Sequence, residues 1–328
     1  MLFDLSEALE LQVFTVILFI VYSICMVYKS KSILSDFLSN IKNDNLAGKV
    51  TILISGCLPI PGRIVLCSSI LKAFAKNKDG DTGLAAYIGT HHYYLWSPVE
   101  KSVIIIIGGI GISYLDFLYM MWVPLLVYGI FMVVALRKVN IDRSGNRDTK
   151  SGISPTIDIC LLVLCLTVSC FFPIILYTLT TYLLYLIIKY KCKLKEFRRI
   201  DYKTILFVSI VLVISSIVKQ NHELLYGIVS NETTLGGAVI LSFIMSYLLG
   251  SSSKFAGICL IAVSIFGVEY LCLFYTIDFC GYMLSPCHKC RTITQCSHNV
   301  KSLQFNKTIG CMCLLMIMSS SLYTAFNL

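Results

Sequence analysis

Charge is what this sequence has least of. Only 14% of its 328 residues are Asp, Glu, Lys or Arg, against 57% hydrophobic, and the mean hydropathy is +0.80. A soluble domain carries about a quarter charged residues, so a soluble class is excluded and an all-α polytopic membrane protein is expected. Acidic residues are scarcer than basic ones, 18 against 27, leaving a formal charge of +9. The surplus falls in short loops between apolar runs, not in a groove with interleaved aromatics. No nucleic-acid partner is expected, and loops of this kind orient a membrane protein. The N-terminus has Asp4, Glu7 and Glu10 but no basic residue before the first apolar run. A secretory signal needs a positive start and a small-residue cleavage site, so 12–28 reads as a retained first span. Catalytic signatures are missing as well: no H-E-x-x-H, G-x-S-x-G or phosphate-loop motif occurs.

Cysteine, by contrast, is plentiful at fifteen, mostly inside apolar runs (Cys25, Cys57, Cys67, Cys160, Cys165, Cys170, Cys259, Cys272). These read as small apolar fillers, since a disulfide framework belongs to small secreted domains. Cys287, Cys290, Cys296 and His298 form C-x2-C-x5-C-x-H. The first pair has zinc-ligand spacing, but the second half is irregular, so no metal site and no cofactor are expected.

Two breaks organise the chain. Leu58, Pro59, Ile60, Pro61, Gly62 and Arg63 stand between apolar arms at 50–57 and 64–75. Two prolines and a glycine in four residues cannot continue a helix. Non-helical backbone at membrane depth is tolerated only when buried in protein or lining a wet cavity, which points to a re-entrant or broken helix hairpin. Gly250, Ser251, Ser252 and Ser253 form a second break between 236–249 and 255–266. Elsewhere 102–136 is too long for one span, and Gly108, Gly109, Gly111 and Asp116 mark its interruption. Beyond it, 117–136 reads as one helix with a kink at Pro124. The run 157–188 divides at Phe171, Phe172 and Pro173. In 32–49, Ile33, Leu34, Phe37, Leu38 and Ile41 recur at helical spacing and suit an interfacial helix. The stretch 309–325 is the last span.

An internal repeat is legible. Tyr94, Ser97, Pro98 and Lys101 recur in order as Tyr282, Ser285, Pro286 and Lys289, each 188 residues later. The same offset carries Gly62 onto Gly250, the first span onto 205–218, and 117–136 onto the last span. Lys29 and Lys31 follow the first span, whereas its counterpart begins after the basic loop 189–203; Arg137 and Lys138 end one span, whereas Lys307 starts its mate. With basic ends cytoplasmic, the halves have inverted topology. The expected division is 1–137 as first repeat, 138–203 as basic loops and a linking helical hairpin, and 204–328 as second repeat. One misfit stands: 104–112 is apolar, its mate 292–300 polar.

The Leu58-to-Gly62 motif, together with Gly281, Tyr282, Met283, Leu284, Ser285, Pro286, Cys287, His288, Lys289 and Cys290, resembles the two motif regions of an uncharacterised integral membrane family, domain-of-unknown-function family 401. That family is grouped with gluconate permease-like carriers of the ion transporter superfamily. The Gly250-to-Ser253 tip is a looser match, and the polar tail after Lys289 departs from the expected apolar continuation. The resemblance implies an inverted-repeat carrier for a small organic anion.

Candidate residues follow from the breaks. Pro61, Gly62, Arg63, Gly250, Ser251, Ser252 and Ser253 are the expected substrate-binding set. Arg63 at a helix N-terminus offers a bidentate fork to a carboxylate; a shallow hairpin would instead place it among lipid headgroups. The serines can bind a substrate oxygen or sodium, or simply let helices pack closely. Lys254 is a partner charge to Arg63 or a snorkelling lysine. His92, Tyr94, Ser97, Asp116, Asp278 and Ser285 are the expected coupling or gating set, the two aspartates being equally suited to capping helices. His91 reads as part of an interfacial aromatic belt with Tyr93, Tyr94 and Trp96; His92 stays between belt and proton carrier. The expected function is an ion-coupled secondary transporter, not an enzyme. Its partners would be a small anion, a sodium ion or proton, and the lipid bilayer, with a homodimer left open. It would sit in the plasma (inner) membrane with loops 137–150 and 189–203 cytoplasmic. The alternatives are a non-transporting membrane scaffold or, less favoured, an intramembrane enzyme using His91 and His92 or Cys/His pairs.

Overall fold

A computed structural model describes residues 5–57, 63–74, 80–139, 154–171, 175–193 and 235–328, with isolated positions at 141, 197, 202–203, 205–206 and 209–210. Among them the regular structure is helical. The first half contains α1 (Leu5–Ser30), α2 (Ile33–Ser39), α3 (Asp44–Cys57), α4 (Arg63–Phe74), α5 (Gly80–His91), α6 (Lys101–Ile110), α7 (Tyr114–Met120) and α8 (Trp122–Arg137). Then come α9 (Ser154–Phe171) and α10 (Ile175–Tyr190). The second half has α11 (Leu235–Leu249), α12 (Ser252–Phe266), α13 (Leu271–Leu284), α14 (Lys289–His298) and α15 (Ser302–Asn327).

The breaks fall where backbone chemistry requires them. Gly250 ends α11 at φ +55, a left-handed conformation that glycine adopts without a Cβ clash. A side chain there would also stand 2.8 Å from Ser285 Oγ and 3.0 Å from the backbone of Cys287 and His288. Gly111 ends α6 at φ +79, and Ser113 and Asp116 then form a capping box that starts α7. The axes of α6 and α7 differ by 106°, so the expected interruption of 102–136 is present. The expected single helix over 117–136 is not: α7 and α8 part at Met121. Pro124 sits in the first turn of α8, where its missing N–H leaves no helix bond unmade. The interfacial reading of 32–49 is also corrected. Ile33, Leu34 and Leu38 are buried in the core, and α3 starts at Asp44, so the first arm is longer than 50–57. Residues 172–174, 194–196, 198–201 and most of the counterpart of the first span lie outside the described residues.

An offset of 188 relates the described elements. It carries α6 onto α14 at both ends and the start of α4 to within one residue of the start of α12. Packing corresponds too: α3, α4 and α5 contact one another as α11, α12 and α13 do. Likewise α6 lies on α12 as α14 lies on α4, and α5 meets α8 as α13 meets α15. Ser97-to-Glu100 and Ser285-to-His288 close the same turn, with Glu100 N–H donating to Ser97 O at 3.1 Å and His288 N–H to Ser285 O at 3.3 Å. The hydroxyls of Tyr94 and Tyr282 are 3.1 Å apart, so the paired segments meet face to face. The polarity misfit between α6 and α14 has a packing cause. Residues 102–106 of α6 are enclosed, whereas α14 buries only Thr294 and His298.

Large apolar side chains are exposed along several helices, while a set of polar and charged ones is buried within the apolar core. Leu126, Ile130 and Val133 on α8, Ile240, Ile244 and Leu248 on α11, and Leu314, Met318 and Leu322 on α15 are exposed, while Ser55, Thr90, His91, Glu100, Asp158, Ser246 and Asp278 are buried. Among the described residues one helix, α15, is alone long and apolar enough to cross a membrane; α6 with α7 passes only as a bent pair. Five further apolar helices run 10–17 residues.

Candidate functional site

Arg63, which follows the first break, and Gly250, Ser251 and Ser252 of the second line one cavity of about 400 Å3. Four helices begin at its wall: Arg63 is the first residue of α4, Lys101 of α6, Ser252 of α12 and Lys289 of α14, and all four residues line the space. Each helix has ten to fifteen residues, long enough for its dipole to place partial positive charge at the N-terminus. The residues before α6, α12 and α14 (Glu100, Ser251, His288) make no side-chain cap, so those first-turn N–H groups are not taken by a preceding side chain. Arg63, Lys101 and Lys289 add full charges, and Glu100 is the one carboxylate among the lining residues.

Arg63 is held rather than free. Its Nη2 donates to Glu100 Oε2 at 2.6 Å, and the two side chains are only 10% and 4% exposed. The guanidinium lies 4.1 Å above the Tyr93 ring and 4.8 Å from that of Tyr94, a cation–π clamp. The pair is single-pronged: Arg63 Nη1 and Glu100 Oε1 are both buried without a hydrogen-bond partner. Each is a buried polar atom with bonding capacity to spare, on a residue that lines the cavity.

In the same cavity His91, at the end of α5, meets His288, just before α14. Their Nε2 atoms are 2.9 Å apart, and His91 Nδ1 bonds Tyr87 O at 2.6 Å. Tyr282 stands edge-on to His288 with ring centres 4.1 Å apart. The chain belongs to the DUF401 family. The family model, described as a protein of unknown function, matches residues 1–323 and so spans both breaks and the whole cavity. No curated protein matches the chain significantly.

Of the residues expected from the DUF401 sequence, Arg63, Tyr94, Gly250, Ser251 and Ser252 line this one cavity. Pro61 and Gly62 lie outside the described residues, and Ser253 belongs to the first turn of α12. Ser97 and Ser285 are buried at the two matched turns, Ser285 Oγ accepting from Cys287 N–H at 3.1 Å. His92 is buried behind the cavity, accepting at Nδ1 from Trp96 Nε1 at 2.8 Å. Asp116 is exposed and caps α7 away from the cavity. Asp278 is buried between α13 and α11, where Oδ1 accepts from Ser246 Oγ at 2.8 Å and Oδ2 has no partner; it does not line the cavity. Lys254 is exposed and makes no pair with Arg63. The aromatic-belt reading of His91 is corrected, since His91 and Tyr93 are fully enclosed by protein. Cys287, Cys290, Cys296 and His298 do not converge; His298 turns to Ser68 Oγ at 3.2 Å.

Sequence reasoning assigned no role to Glu100 or His288 in the cavity or to Asp158 elsewhere, and it weighed Cys290 only with Cys287, Cys296 and His298. Buried Asp158 joins α9 to α10 by accepting from Lys189 Nζ at 2.5 Å, Tyr185 OH at 2.9 Å and the Tyr190 hydroxyl. A signal for the first two was present: Glu100 and His288 occupy equivalent positions, three residues after Ser97 and Ser285.

Proposed function

We propose that this DUF401 chain is a multi-pass membrane carrier built of two inverted repeats, which binds a small organic anion between the two breaks and moves it by alternating access. The observation that carries the reading is the convergence of four helix N-termini and three cationic side chains on one cavity. Broken helices aiming their N-termini at an anion are how many secondary transporters build their sites, and about 400 Å3 suits a small ligand. Exposed apolar helix faces, with charged residues such as Glu100, Asp158 and Asp278 buried instead, support the membrane setting, and short helices paired across breaks would cross a bilayer together. The shared offset of element boundaries and contacts supports the repeats, and the basic loops 137–150 and 189–203 then face the cytoplasm. Kinship to gluconate permease-like carriers fits this plan. Asp278, a carboxyl with an unpartnered oxygen inside an apolar helix, is the proposed seat of the coupling proton or sodium ion.

The test is a carboxylate screen on the purified chain by thermal shift, followed by gradient-driven uptake into proteoliposomes. A small carboxylate should stabilise the chain and accumulate, and Arg63→Ala and Ser252→Ala should abolish both effects. Absence of any bound or accumulated anion, with both variants neutral, favours a scaffold.

A further inference from the structure

The cavity contains a second kind of chemistry. One ring nitrogen each of His91 and His288 and the Sγ of Cys290 all lie within 4.8 Å of one another, and all three residues line the open space. They come from both repeats: His91 closes α5, while His288 and Cys290 open α14.

The hydrogen bonding prepares His91 as a ligand. A carbonyl only accepts, so His91 Nδ1 carries the proton that goes to Tyr87 O at 2.6 Å. His91 Nε2 is therefore a bare lone pair aimed at His288 Nε2, 2.9 Å away. Imidazole metal ligands are oriented in this way, with the second nitrogen donating to a backbone carbonyl. The His288 ring also makes a backbone hydrogen bond with Gly250. Ring contacts hold the pair: Tyr94 stacks on His91 with centres 5.6 Å apart, and Tyr282 braces His288. Two imidazoles on a tetrahedral zinc-class ion sit on the order of 3.3 Å apart, so loading parts the nitrogens by only about 0.4 Å.

We propose that His91, His288 and Cys290 form a site for a zinc-class transition-metal ion, with the fourth position open to the cavity. Two imidazoles and a thiolate suit a borderline-soft ion, and three protein ligands with one open place characterise a reactive or exchangeable site. Nearby Arg63, Lys101 and Lys289 oppose a bare cation, so the fourth ligand is an anion. Loading transfers the Cys290 proton to solvent, and His288 moves its proton from Nε2 to Nδ1, so one proton is released per ion.

The experiment titrates the purified full-length chain in detergent with cobalt(II), then displaces the cobalt with zinc. One cobalt per chain should bind with a thiolate-to-cobalt charge-transfer band and release one proton, and added acetate should tighten binding. Cys290→Ser should remove the band while leaving circular dichroism and elution volume unchanged. His91→Gln and His288→Gln should each weaken zinc by at least about 10-fold, and Cys287→Ser and Cys296→Ser should change nothing. Lack of a band in the wild-type chain, survival of the band in Cys290→Ser, or zinc affinity unaltered in both histidine variants overturns the site. The readout is binding alone, so missing transport leaves the metal site standing and missing metal binding leaves the carrier reading standing.

Discussion

Removing both members of the Arg63–Glu100 pair should harm the protein by less than the sum of the two single removals. The side chains meet at 2.6 Å and are 10% and 4% exposed. Deleting one partner of a buried ion pair strands the other charge, at a cost of about 3–5 kcal/mol. Arg63→Met also forfeits the stack on Tyr93 and Tyr94, roughly 2 kcal/mol when desolvated. Glu100→Leu leaves a guanidinium among three helix N-termini of like sign, and so belongs near the top of the range. In Arg63→Met/Glu100→Leu no charge is stranded, and the double variant should recover about 2–3 kcal/mol relative to the sum of the singles. The assay is reversible unfolding in mixed micelles, followed by the fluorescence of Trp96, which packs edge-on against Tyr93. Additivity within about 0.5 kcal/mol would mean the charges do not feel each other, and the clamp described above would be wrong. The double variant, though folded, should bind no carboxylate, which separates the stabilising role of Arg63 from its role as anion donor.

Gly250→Ala should destabilise by roughly 1–3 kcal/mol, from its left-handed φ and the close Ser285, Cys287 and His288 atoms. Gly129→Ala, in the open interior of α8, should stabilise by about 0.5–1 kcal/mol; thermal unfolding reads both, and equal effects would discredit the turn geometry. Asp116→Ala should cost about 1 kcal/mol through the lost capping box and leave anion binding unchanged; abolished binding would restore a coupling role. Asp158→Asn breaks the contact with Lys189, whose side chain is 24% exposed, and should cost about 2–3 kcal/mol, against a near-neutral result if the α9–α10 join is incidental. Asp278→Asn should preserve fold and binding but uncouple uptake from the ion gradient, and gradient-driven uptake at the wild-type rate would exclude Asp278 as the coupling residue.

The breaks were legible because proline and glycine act locally. Gly250, and Gly111 with Ser113 and Asp116, each end or start a helix by their own backbone chemistry; Pro59, Pro61 and Gly62 lie outside the described residues. The two matching turns were legible because Ser97-Pro98 and Ser285-Pro286 recur with the same spacing and close in the same way. Long-range pairing was not. Arg63 and Glu100 are 37 residues apart, and nothing near either announces the other. His91 was misplaced for a specific reason: histidine beside Tyr93, Tyr94 and Trp96 has the composition of an interfacial belt, and burial depends on α14 covering α5. The same packing brings His288 and Cys290 to His91 across 197 positions of sequence, while the C-x2-C spacing drew attention to Cys287, which is exposed. The kink expected at Pro124 became a break at Met121 because a proline suits the first turn of a helix better than its middle.

The central claim, one cavity between two breaks reachable in turn from each side, is tested most directly at Ser251. Gly250 cannot carry a thiol without strain, but Ser251 lines the cavity and is partly exposed. Ser251→Cys would be placed in a chain whose other reactive thiols are replaced, reconstituted in one orientation and treated with a membrane-impermeant thiol reagent from each side, with and without an ion gradient. The account predicts labelling from both sides, with the favoured side switching with the gradient. Labelling from one side only under every condition, or none at all, contradicts it.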